Sequence, residues 1–134
     1  MKTLFLASML STLLAAGTQT KPLDKPGTLP EKCPSVSSIS SQGLDYVAPF
    51  IPGRGWIGVK ENSHYDTNDT WTFTLFTDSD AKNGRIAIQQ LSKKISSFNL
   101  KFGPRWDDEM GLVYCEYETG GHSLATAFTP SLYE

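Results

Sequence analysis

The sequence predicts an α+β domain: one helix packed on a mostly antiparallel sheet of four to five strands, closed by one disulfide. Three observations carry that prediction. In residues 70–77 (TWTFTLFT), Trp71, Phe73 and Leu75 alternate with Thr72, Thr74 and Phe76, the period of two of a strand with one buried face. Further on, Ile88, Leu91, Ile95 and Phe98 recur at intervals of three, four and three, one stripe of a helix. The chain also has two cysteines, Cys33 and Cys115, an even count that suits an oxidising compartment.

Taken in order, the chain opens on a leader. Lys2 supplies a positive start, and residues 4–16 (LFLASMLSTLLAA) are apolar but too short to span a bilayer. Ala15 and Gly17 place small residues before a cleavage site at Thr18, so residues 1–17 read as an export signal. Thr18 is not a cysteine, which removes the lipid-anchor reading. Residues 18–32 are proline-rich with few apolar side chains, and are expected to form a flexible lead-in to a single globular domain over 33–134.

Residues 36–39 suit a short edge strand. Residues 46–55 (YVAPFIPGRG) hold two prolines and two glycines, which should break any regular element. Residues 56–61 (WIGVKE) read as a strand, and 62–70 as a polar turn leading into the alternating strand. The Thr-rich face of that strand is expected to be wet or lightly covered. Asp78-Ser79-Asp80 offers oxygens to cap a helix, and Asn83-Gly84 weakens its first turn, leaving 85–97 as the dependable part. A strand at 98–102 (FNLKF) should stop at Gly103-Pro104. Residues 111–118 (GLVYCEYE) and 122–128 (HSLATAF) then form a hairpin across Thr119-Gly120-Gly121.

Charge and composition narrow the function. The full chain carries −2 at pH 7. Loss of Lys2 with the leader makes the balance more negative, which argues against nucleic acid and against an electrostatic membrane anchor. No later segment is apolar over the roughly 20 residues of a spanning helix, so a soluble mature protein is expected. It is expected as a monomer in the periplasm or outside the cell. A Cys33–Cys115 bridge would close a loop of 82 residues. On the chain-entropy model that closure is worth about 4 to 5 kcal/mol. Cys33-Pro34 also matches a short Cys-Pro element of heme-responsive proteins, a role that needs a free thiolate.

Catalytic and metal patterns are weak. There is no Gly-x-Ser-x-Gly elbow, and His122 and Ser123, adjacent on a predicted strand, would point to opposite faces. Residues 78–84 (DSDAKNG) fail as a calcium loop: Lys82 stands where an oxygen donor is wanted, and Gly84 comes one residue late. Two histidines alone make no zinc site. Residues 107–109 are an acidic run of the kind found on solvated loops. No catalytic residue and no metal ligand is therefore expected. Asn68-Asp69-Thr70 fits a glycan-acceptor pattern. Trp56 and Trp71 suit the core, whereas Trp106, after Pro104-Arg105 and before three acids, suits an exposed contact loop.

The layout of Cys33-Pro34, Gly55-Trp56, a central aromatic strand and helix, and Cys115-x-Tyr117 resembles small exported proteins of gamma-proteobacteria such as Legionella and Coxiella. One group of these carries the label hemin-binding protein. The resemblance covers about residues 33–128. It implies a one-disulfide exported domain with a heme-related role, the heme held without covalent attachment since no Cys-x-x-Cys-His is present. An axial ligand would come from His64, Tyr65, Tyr117 or His122, with Met110 a weaker type.

The reading that follows is a non-enzymatic exported binding protein with a protein or small-ligand partner. Its alternatives are a hemin-binding protein of iron acquisition and a secreted inhibitor or effector of a host or competitor protein. The candidate contact residues are His64, Tyr65, Trp106, Tyr117 and His122.

Overall fold

The alternating strand forms the middle of the sheet. In the computed structural model, which describes residues 27–51 and 54–130, it becomes β3 (Trp71–Asp78). Trp71, Phe73 and Leu75 are fully buried along one side of it. The export signal at 1–17 lies outside the described residues.

Two antiparallel meanders flank the centre. The first is β1 (Tyr46–Ile51), β2 (Gly55–Ser63) and β3. The second is β4 (Asn99–Asp107), β5 (Leu112–Glu118) and β6 (Leu124–Thr129). The helix α2 (Gly84–Ile95) carries the chain from the centre to the far edge, and the second meander returns to lay β6 against β3. The order is β1-β2-β3-β6-β5-β4, with every neighbouring pair antiparallel. The α+β class stands, with six strands in place of four to five.

A second helix, α1 (Val36–Gln42), replaces the edge strand expected at 36–39. Its serines are poor helix formers, but Ser35 Oγ accepts the Ser38 N–H as an N-cap, and the Gly43 N–H closes the other end on the Ile39 carbonyl. Ile39 is its one buried anchor. Residues 46–51 form a strand despite Pro49, because β1 is an edge where a missing N–H costs no ladder bond. β4 likewise runs through Gly103-Pro104, where the register shifts between Phe102 and Arg105. This second edge tolerates the break as a bulge. Asn83, not Asp78-Ser79-Asp80, caps α2, its Oδ1 accepting the Ile86 N–H.

The two faces of the sheet differ. Toward the helices point Trp56 and Gly58 of β2, Phe73 and Leu75 of β3, Cys115 and Tyr117 of β5, and Ala125 and Ala127 of β6. The register sets Ala127 across from Phe73 and Ala125 across from Leu75, small against large, so the large side chains and the helix fit one layer. Leu91 and Ile95 of α2 and Ile39 of α1 complete this core. Ala87 is buried on α2, while Ile88, expected on the stripe, is only half-buried.

Cys33 and Cys115 are bridged, with Cα atoms 6.0 Å apart, which fastens the domain's start to the middle of β5. The buried Tyr117 hydroxyl donates to the Pro34 carbonyl at 2.6 Å and holds the same segment. Leu29, in the lead-in, packs against the core.

Candidate functional site

Strand alternation turns the other side chains to the helix-free face. There the register makes a transverse row: Ala48 pairs with Ile57, Ile57 with Phe76, and Phe76 with Leu124. Phe50 stands edge-on to Phe76, ring centroids 5.1 Å apart. No described helix packs on this row. Phe50 and Leu124 are 53% and 49% exposed, high for large apolar side chains. At the row's end a shallow cleft of about 140 Å³ gathers Phe50, Phe76, Arg54 and His122 with Gly55, Thr77 and Asp78.

The five sequence-predicted residues do not meet in one place. His64 is exposed, with Nδ1 3.1 Å from the Asp69 carbonyl. Tyr65, at φ 53°, turns its ring inward, and its hydroxyl is buried with no hydrogen-bond partner among the described residues. Tyr117 lies in the core with its ring edge-on to Phe73 at 6.0 Å. Burial pushes both phenols above their ordinary range. The nearby Asp45 charge adds to the shift at Tyr65, and Tyr65 and Asp66 add to it at Tyr117. Neither offers a phenolate at neutral pH.

Trp106 sits on β4 across from Val113, half-buried against the core, and not in a contact loop. Met110 is exposed in the turn after β4. His122 and Ser123 precede β6 in the β5–β6 loop and do not lie on a strand. Of the five, His122 alone joins the exposed aromatic row. Sequence reasoning missed Phe50, Arg54, Ile57 and Leu124 as its neighbours. The one local signal was Phe76 breaking the threonine pattern. That face is not lightly covered throughout as expected, since Thr72 on it is fully buried beside Phe128 of β6.

The 64–69 loop is pinned to the disulfide segment by Asp66, whose Oδ1 accepts the Ser35 N–H at 2.9 Å while Oδ2 faces Lys32 at 4.0 Å. Asp45 is held similarly, by the Glu61 N–H at 2.9 Å and Lys60 at 3.0 Å. Partial burial pulls both carboxyls up, but these hydrogen bonds and lysines outweigh it and leave both below the usual range. A depressed carboxyl stabilises the fold above its unfolded value near ~3.9 and loses that contribution as pH falls through its folded value. Both side chains are about two-fifths exposed, 40% for Asp66 and 39% for Asp45, so solvent keeps the effect small. Melting temperature should stay level from neutral pH to about 4.5 and then fall, less steeply in Asp66→Asn. A decline already under way near pH 6 would contradict this assignment.

Among the described residues, no three of His, Cys, Asp and Glu come close enough to hold a metal ion. No described helix is long and apolar enough to cross a membrane. No protein-family model, curated protein or solved structure matches this chain.

Proposed function

We propose that this chain is a small exported binding protein, held by one disulfide, that acts by contact through the helix-free face of its sheet and not by catalysis. The observation that carries the reading is the row Ile57–Phe76–Leu124 with Phe50 edge-on to it, an apolar strip open at the surface. Clustered exposed aromatics on a rigid sheet are characteristic of contact sites.

The occupant this strip suits is a flat, apolar ligand carrying carboxylates. Rings and aliphatic side chains offer a flat bed, and Arg54, which shares its cleft with the Asp78 carboxylate, offers a cation to an acidic substituent. His122 stands at the same end and supplies an imidazole of the type that ligates iron. That combination favours hemin as the specific member of the class, and the layout with Cys33-Pro34, Gly55-Trp56 and Cys115-x-Tyr117 resembles small exported proteins of which one group is labelled hemin-binding.

The test is a hemin titration of the purified protein, followed by absorbance against an unrelated acidic protein of similar size. A saturable Soret shift at one equivalent is expected. Phe50→Ser, at an exposed position, should weaken it about tenfold without lowering the melting temperature. An unchanged affinity in Phe50→Ser would remove the row from the site.

A further inference from the structure

The loop between β2 and β3 carries a motif with no part in the aromatic row. Asn68-Asp69-Thr70 is the one Asn-x-Ser/Thr triplet in the chain, and its middle residue is not proline. Bacterial enzymes that glycosylate such asparagines also require an acid two positions earlier, and Asp66 stands there. The run Asp66-Thr67-Asn68-Asp69-Thr70 thus meets the longer pattern at every position.

The fold presents these residues at the surface. Residues 67–69 form a bend outside every helix and strand, and Asn68 is exposed. The groups around it hold the loop in shape. His64 Nδ1 and Thr67 Oγ1 meet the Asp69 carbonyl, Thr67 Oγ1 accepts from Trp71 Nε1 at 2.8 Å, and Asp66 Oδ1 accepts the Ser35 N–H. The Asn68 amide and the Thr70 hydroxyl, by contrast, make no side-chain hydrogen bond among the described residues. The Asp66 side chain stays 40% exposed beside Lys32. The two side chains that glycan transfer uses directly are therefore free in the folded loop. From the start of β3 to Phe76 is about 16 Å along the strand, so a glycan on this loop leaves the aromatic row open.

We infer that Asn68 is the acceptor for an N-linked glycan, added after export by an oligosaccharyltransferase from a lipid-linked oligosaccharide diphosphate. Asn68 Nδ2 takes the anomeric carbon of the donor. A C–N bond forms, the C–O bond to the diphosphate breaks, and one amide proton passes to solvent. The Thr70 hydroxyl and the Asp66 carboxylate are the contacts the enzyme reads. The assignment rests on the export reading and not on the hemin reading.

The test expresses the full chain in a bacterium supplied with such an enzyme and its lipid-linked donor. One version keeps its own leader, and the other carries a foreign periplasmic leader in place of residues 1–17. Periplasmic protein is digested and its glycopeptides are located by mass spectrometry. A glycan at residue 68 and at no other asparagine is expected. Asn68→Gln and Thr70→Ala should abolish it, Asp66→Ala should remove most of it, and Thr70→Ser and Asp66→Glu should keep it. Asn68→Gln should melt with the parent, because the side chain it replaces is exposed and unbonded. Periplasmic protein without a glycan at residue 68 would overturn the inference, as would undiminished occupancy in Thr70→Ala. A glycan found with the foreign leader and missing with the native one would support the acceptor and overturn the export reading.

Discussion

A Cys33→Ala/Cys115→Ala double variant should melt about 20 °C below the parent protein, the equivalent of roughly 4 to 5 kcal/mol. The reasoning is topological. The bridge spans 82 residues and ties the start of the domain to the middle of β5, so its loss frees nearly the whole domain in the unfolded state. Against a typical total stability of about 5 to 15 kcal/mol, that is a large fraction. The native packing around it partly survives, since the Tyr117 hydroxyl still reaches the Pro34 carbonyl and Leu29 still meets the core. Calorimetry on the double variant and on the reduced parent should agree. A fall of under about 5 °C in both would mean that loop closure is not what the bridge contributes.

Gly103→Ala should cost about 2 to 4 kcal/mol, because two penalties coincide there. The residue sits at φ +128°, a backbone region that side chains other than glycine's rarely adopt. An added Cβ would also stand 2.8 Å from Cys115 Cα, 2.8 Å from the Tyr114 carbonyl oxygen and 3.0 Å from Cys33 Sγ. Two of those atoms are backbone and the third belongs to the bridge, so none can swing aside. Gly120→Ala is the control: it too has a positive φ, +77°, but a Cβ there would meet nothing within 4 Å. It should cost about 1 kcal/mol. Denaturant midpoints that fell equally in the two variants would show that crowding against the disulfide contributes nothing.

The elements that were legible in the sequence are those whose signal is local and repeated. The 70–77 alternation needs only its own residues to declare a strand with one buried face, and Leu91 and Ile95 declare the inner side of α2 in the same way. The misread segments are those where position in the sheet overrides composition. Pro49 and the Gly103-Pro104 pair look like breaks, yet both lie on edge strands that have no second neighbour to satisfy. α1 was hidden because Ser-rich segments have low helix propensity, and its stability rests on a cap and one buried isoleucine.

The candidate site was less legible for a related reason. His122 stands out by type, but Ile57, Phe76 and Leu124 become neighbours only through the registers of β2, β3 and β6, which no local pattern reports. His64 and Tyr65 looked like a natural pair because they are adjacent. A positive φ at Tyr65 turns its ring into the core while His64 stays at the surface.

The most direct test of the proposed binding face is therefore the identity of the residue that governs hemin's spectrum. Hemin titrations of the parent, His122→Ala and the His64→Phe/Tyr65→Phe double variant would be compared side by side. The proposed site predicts a one-equivalent Soret shift that survives in the double variant and is lost in His122→Ala. No saturable shift in the parent, or a shift lost with His64 and Tyr65 and kept without His122, would contradict it.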